Sequence, residues 1–172
     1  MKNQVYLFFV LLAVIIASCS PIKVLSDVEE GTNFNAYKTF KLLDQKGAFP
    51  ADANPINRQR LEKAIINKMK ELNYQESENP DLLVTFFVKK ETKQSEGAIR
   101  NYYDEWDYVD KFNVYQYKVG TLVVDLIDAK KKQIIWHGIL SRQTDENIKT
   151  AAERINKNVE KIFARFEKER GN

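Results

Sequence analysis

The only cysteine of this chain, Cys19, follows Ser18 and a 13-residue apolar run from Val5 to Ala17. One cysteine allows no intramolecular disulfide, no thiolate zinc cluster and no redox pair, so the rest of the chain must fold on apolar burial and hydrogen bonding alone. The apolar run is too short for a bilayer span, which takes about 20 residues, and Ser20 and Pro21 follow it without a basic stop-transfer flank. The start amine and Lys2, the apolar stretch and the small residues at 17 and 18 stand in the order of a secretory signal peptide. Removing residues 1–18 leaves 172 − 18 = 154 residues. A chain of that size fits one domain and buries about 68 to 70% of its unfolded surface.

The stretch Ile16-Ala17-Ser18-Cys19 resembles the bacterial lipoprotein signal, in which the cysteine sulfur is alkylated with diacylglycerol, the peptide is cut before the cysteine, and the new amine is acylated. The resemblance implies lipidation at Cys19 with palmitate-type chains, and each buried methylene of such chains contributes about 0.8 kcal/mol to membrane attachment. Ser20 is not the aspartate that follows the cysteine in retained lipoproteins of the enteric type, and no acid occurs before Asp27. The expected location is therefore the outer membrane of the cell envelope, with the domain in the periplasm.

With 44% hydrophobic and 30% charged residues the remainder reads as globular. Net charge is +3, with acids and bases interspersed and no long basic run, so a nucleic-acid partner is not expected. No cofactor or metal is expected either, since the single histidine, His137, rules out a histidine-rich site.

Residues 19–32 read as the lipidated cysteine and a tether, marked by Pro21, Gly31 and Thr32, and residues 33–172 as a single domain. Phe34 to Leu43 alternates aromatic and polar residues as a strand does. Asn54 before Pro55 is a helix start, and Leu61, Ile65, Met69 and Leu72 set one apolar stripe on a helix ending near Asn73. Asp81 to Glu91 is apolar on both alternating faces, the pattern of a central strand covered on two sides, and Gly120 to Ala129 reads the same way. Lys131 and Lys132 separate it from a strand over Gln133 to Arg142, a tight hairpin. After Thr144, an acceptable cap, Ile148, Ala152, Ile155, Val159, Ile162 and Phe166 step at helical spacing with charges opposite. The order β-α-β-β-β-α predicts an α+β two-layer sandwich: a mixed, mostly antiparallel sheet of about four strands with two helices on one face.

Four segments occur in a familiar order: Phe34-Asn-Ala-Tyr37-Lys-Thr-Phe40, Asn79-Pro80-Asp81-Leu-Leu-Val84, Gly120-Thr121-Leu-Val-Val-Asp125-Leu-Ile-Asp128-Ala129 and Trp136-His137-Gly138. Together they resemble the DUF4136 lipoproteins, bacterial envelope proteins of unknown function, over most of residues 27–166. The resemblance implies a lipid-anchored periplasmic α/β domain with no established activity and no agreed catalytic residues.

Asp125 and Asp128 lie three apart in a strand and so point to opposite faces, which keeps them from sharing a substrate. Asp128 suits the start of the Asp-Ala-Lys-Lys turn, bonding local amides, and Asp81 after Pro80 reads as a turn residue. His137 lacks a Gly-x-Ser-x-Gly elbow and reads as structural, and Trp136 as a core or interface residue.

Residues 92–117 form an aromatic insertion in which Tyr102, Tyr103, Trp106 and Tyr108 lie among Asp104, Glu105, Asp107 and Asp110. Aromatic rings give large contact area at low entropic cost, so these four are the candidate binding residues for an envelope protein or glycan. The plainer reading is a hairpin or loop whose aromatics cover the open face of the sheet. The functional expectation is a non-enzymatic binding or structural module attached to the membrane through lipid. The rival is a cell-envelope hydrolase or carbohydrate-active enzyme using carboxylates of the 104–110 segment, which needs two carboxyl groups about 5 to 10 Å apart across a cleft.

Overall fold

Strand pairing decides this architecture. A computed structural model of the chain describes residues 22–43, 47–51, 53–98, 112–144 and 150–171. Its strands are β1 (Lys23–Val28), β2 (Thr39–Leu42), β3 (Gln75–Glu76), β4 (Leu82–Ala98), β5 (Phe112–Asp128) and β6 (Gln133–Gln143). They form one open sheet in the order β1-β6-β5-β4-β2-β3. Neighbours from β1 to β4 are antiparallel, whereas β2 runs parallel to both β4 and β3. The mixed α+β character is as expected, but the sheet has six strands where about four were expected.

The two additional strands are β1 and β3. β1 occupies the segment expected to be tether: Val24 and Val28 turn inward and pack on the core, while Lys23, Leu25 and Asp27 turn outward. Its six residues sit between Pro21 and Gly31 and carry only a short alternation, which becomes a strand because β6 offers an unpaired edge. β3 is two residues long, below the length at which alternation can be read. The first expected strand is also shorter than its aromatic pattern suggests. Phe34–Ala36 forms a 3-10 turn capped by the Asn33 side chain, which accepts from Asn35 N at 3.1 Å, and only Thr39–Leu42 pairs.

The helices are α1 (Pro55–Glu71) and α2 (Ala151–Arg170). Asn54 Oδ1 accepts from Ile56 N at 2.9 Å and Pro55 opens α1, as expected for a cap followed by proline. α2 runs from Ala151 with Thr150 at its cap position, Thr144 N donates to Lys118 O at 2.9 Å at the end of the sheet, and the expected stripe residue Ile148 lies outside the described residues. Leu61, Ile65 and Met69 of α1 and Val159, Ile162, Phe163 and Phe166 of α2 are buried against Leu82, Val84 and Phe86 of β4, Leu122, Val124 and Leu126 of β5, and Trp136 and Leu140 of β6. Each large apolar side chain fully buried in this way contributes roughly 1.5 to 3 kcal/mol. The two helices pack side by side, α2 over β6 and β1 and α1 over β2 and β3.

Trp136 is the centre of that layer: it is fully buried, stacks on Phe163 at 6.0 Å and meets Phe166 edge-on at 5.3 Å. Its Nε1 donates to Glu169 Oε2 at 2.8 Å, and Ser26 Oγ donates to Glu169 Oε1 at 2.5 Å, so one carboxylate ties β1, β6 and α2 together. Gly138 makes room for the indole, since a Cβ there would lie 2.3 Å from Trp136 Cη2.

The two ends of the 92–117 segment belong to the sheet, and residues 99–111 lie outside the described residues. β4 and β5 pair without a break from Leu82↔Asp128 to Ala98↔Phe112, so residues 92–98 and 112–117 are the two strands of one long hairpin arm. The polar Lys93–Glu96 stretch hides this continuity in the sequence.

Candidate functional site

The period of two along each strand splits the sheet into two faces. On β4, Leu82, Val84 and Phe86 turn to the helices and Leu83, Thr85 and Phe87 turn away. Both helices lie on the first face, and among the described residues no helix covers the second. Register sets its residues in rows across four strands. One row is Phe87, Val123, Ile139 and Leu25, and the next is Thr85, Asp125, His137 and Asp27. A third joins Leu83, Ile127 and Ile134. Ile134 reaches this face because the register shifts between Leu126 and Ile127, leaving Ile135 as an extra residue that turns inward and is buried. Leu25 is 65% exposed, Ile134 49% and Phe87 45%. Aliphatic and aromatic surface thus flanks a polar row on the face that neither helix covers.

In the polar row, His137 Nδ1 and Asp125 Oδ1 share a hydrogen bond of 2.5 Å, and Thr85 is buried beside Asp125. Asp128, three residues on, belongs to the other face and the end of the strand. Its Oδ1 accepts from Lys130 N at 2.8 Å and Lys131 N at 2.9 Å, shaping the turn before β6, and its Oδ2 accepts from Tyr37 Oη at 2.9 Å. Close by, Asp81 Oδ2 accepts from Lys38 N at 2.9 Å, Thr39 N at 3.1 Å and Thr39 Oγ1 at 3.0 Å. Backbone donation from Lys38 holds the Asp81 carboxyl below the usual carboxylate range, and donation from Lys131 does the same for Asp128. Burial, with the carboxylate of Asp128 alongside, pushes the Tyr37 hydroxyl up to about 12. The Tyr37 link was not foreseen, although the Phe34–Phe40 segment that carries it stood out in the sequence.

Trp136, His137 and Gly138 separate by face: the tryptophan and glycine belong to the core, the histidine to the open side. Cys19, the candidate binding residues Tyr102, Tyr103, Trp106 and Tyr108, and the carboxylates Asp104, Glu105, Asp107 and Asp110 lie outside the described residues. A groove of about 450 Å³ beside β2 includes Glu62, Glu76 and Glu78. Each of these is ion-paired, Glu62 with Arg58 at 2.8 Å, Glu76 with Lys70 at 2.6 Å and Glu78 with Lys41. Among the described residues no group of three His, Cys, Asp or Glu side chains is placed to hold a metal ion, and no helix is long and apolar enough to cross a membrane.

A family model described as a domain of unknown function, DUF4136, matches residues 24–166. The chain belongs to the DUF4136 family. The match begins inside β1, in agreement with that strand being part of the domain. No curated protein matches this DUF4136 chain in sequence. Solved structures match its fold. A PDZ domain protein from Parabacteroides distasonis ATCC 8503 superposes with a TM-score of 0.56 and 13% identity over 90% of this chain, which spans 38% of that protein. PelC from Paraburkholderia phytofirmans, solved as a dodecamer, superposes with a TM-score of 0.54 and 13% identity over 84% of this chain and 96% of PelC. At these identities the likeness is one of fold.

Proposed function

We propose that this DUF4136 protein is a non-enzymatic binding module of the bacterial envelope, held through lipid on Cys19 at the outer membrane with its domain in the periplasm, and that it takes a protein partner on the open face of its sheet. The carrying observation is the row Phe87, Val123, Ile139 and Leu25, apolar across four strands and uncovered by either helix. Folding leaves this apolar surface in water, and a partner that removes it gains roughly 25 cal/mol per Å². A second copy of the chain is the first candidate, since PelC, with a related fold, forms a dodecamer. The aromatic residues Tyr102, Tyr103, Trp106 and Tyr108, which follow β4 in the chain, are proposed to add contacts to the same partner. Anchoring raises the effective concentration of such a module toward other membrane-bound proteins, so modest affinity suffices.

Asp81 and Asp128 are engaged by backbone amides and the groove acids by lysine or arginine, which supports structural roles for these five; the carboxylates of the 104–110 segment lie outside the described residues. The test is in-cell photo-crosslinking from Val123 on the open face, with Lys131 as the control position and Cys19→Ala as the untethered control. A discrete product from 123 alone, reduced in the untethered form, is expected, and its mass distinguishes a second copy from another protein. Equal labelling from 123 and 131 would remove the open face from consideration.

A further inference from the structure

We propose that a second copy of this chain pairs with the free edge of β1 as an antiparallel strand, with a two-fold axis at Leu25. The proposal goes beyond the open-face reading and stands on the edge of the sheet. β1 is the last strand on its side and pairs with β6 alone among the described residues. Glu29 N donates to Ile135 O at 3.1 Å, and Thr144 N, farther along β6, donates the other way to Lys118 O of β5. Backbone direction alternates along a strand, so Lys23, Leu25 and Asp27 bond to β6, and the N–H and C=O groups of Val24, Ser26 and Val28 point out from the edge. Val28 N accordingly donates to the Asp27 side chain, at 3.0 Å from Oδ1, instead of to a strand. A row of outward backbone groups is a template for another strand.

The residues of β1 match their own reversed copy. Antiparallel pairing centred on Leu25 sets Val24 opposite the second copy's Ser26 and Ser26 opposite its Val24, and in both pairs the outward groups exchange N–H···O bonds. Between them Leu25 meets the second copy's Leu25 in a non-hydrogen-bonded pair, where side chains approach most closely, and this covers a side chain that is 65% exposed. Lys23 then lies opposite the second copy's Asp27, and Asp27 opposite its Lys23, all exposed and on the same face as Leu25. Neighbouring registers lose this match. Centring on Val24 sets Leu25 against Lys23, centring on Ser26 sets it against Asp27, and centring on Lys23 or Asp27 sets like charges opposite. The two-fold axis keeps both open faces on one side, so the row Phe87, Val123, Ile139 and Leu25 runs on into the same row of the second copy. On the other side it brings the two α2 helices, each over β6 and β1, next to one another.

The test is disulfide trapping in cells producing the full-length chain, with the wild type as the baseline for Cys19. The Cα atoms of a non-hydrogen-bonded pair lie about 4.5 Å apart, within disulfide reach, whereas in this register Lys23 lies about 13 Å from the second copy's Lys23. Leu25→Cys is expected to give a disulfide-linked dimer several-fold above the baseline and above Lys23→Cys or Lys131→Cys alone. Lys23→Cys produced together with Asp27→Cys should give the mixed dimer. Adding Lys23→Asp to Leu25→Cys should lower the yield several-fold, and adding Asp27→Lys as well should restore it. Equal yields from positions 25, 23 and 131 overturn the pairing, and so does a crosslink from 25 to a different protein alone. A yield indifferent to the charge changes overturns the register centred on Leu25. Both readouts lie at the sheet edge, so their failure is distinct from failure of the crosslink at Val123.

Discussion

The two faces of one sheet use the same kind of residue to different ends. Leu82, Val84 and Phe86 lie on one side of β4 at 3% exposure or less, and Phe87, one residue on, is 45% exposed on the other. On the covered face the apolar groups are consumed by folding: Trp136, Phe163 and Phe166 pack ring against ring, and Glu169 satisfies the indole nitrogen. On the open face a polar row with the His137–Asp125 pair interrupts the hydrocarbon, and the outermost residue, Leu25, is mostly in water. Apolar character that folding does not use is available to a partner, and substitutions should separate the two faces accordingly.

The sharpest break is on the covered side. Trp136→Ala removes a fully buried indole and leaves Glu169 without its Nε1 donor, so a loss of about 3 to 5 kcal/mol is expected in urea unfolding. A loss under about 1 kcal/mol would mean that the helices close over the site, and the contrast between faces would lose its basis.

Next comes the end of the sheet, where Tyr37→Phe deletes the hydroxyl bonded to Asp128 and is expected to cost about 1.5 to 3 kcal/mol, the range for a hydrogen bond to a charged group. Asp81 and Asp128 are held below their ordinary value of 3.8, so the stability they contribute is present above that pH and is lost as pH falls below it. Tyr37 is raised from 10.0 to about 12, so its contribution is intact below pH 10 and is lost as pH rises toward 12. Chemical denaturation at pH 7, 4 and 3 should show the wild type weakening with acid and Asp81→Asn weakening less. Parallel curves for the two would show that Asp81 does not carry the acid sensitivity.

The elements that pack were legible because their patterns repeat: the steps of Leu61, Ile65 and Met69, and of Val159, Ile162 and Phe166, reproduce the two helix stripes that are buried. Elements that rely on a partner strand were not. β1 and β3 are short and gain their structure from β6 and β2, and β4 beyond Lys89 is polar in sequence. The open face was half visible, since Leu82 to Val88 showed apolar residues on both alternations. Two-sided hydrophobicity is equally the signature of a strand between two layers and of a strand with one layer missing, and sequence pattern does not distinguish them. Tyr37 and Asp128 are 91 residues apart, and only pairing of β4 with β2 and β5 brings them together.

The smallest expected effects on stability lie on the open face, and they test the comparison most closely. Phe87→Thr places a β-branched, strand-favouring side chain on β4 while removing a ring that already sits 45% in water, so stability should fall by no more than about 1.5 kcal/mol. Leu25→Thr, at 65% exposure on the edge strand, should change it by no more than about 0.5 kcal/mol. Both should nevertheless weaken the crosslink formed from Val123, because Leu25, Val123 and Phe87 share one row, and the double variant should weaken it further than either alone. The informative measurement is the pair of values for each variant, unfolding midpoint beside crosslink yield. If the crosslink survives Phe87→Thr and Leu25→Thr together at unchanged stability, the open row is an inert surface. Loss of the crosslink with the fold intact makes it the site of contact.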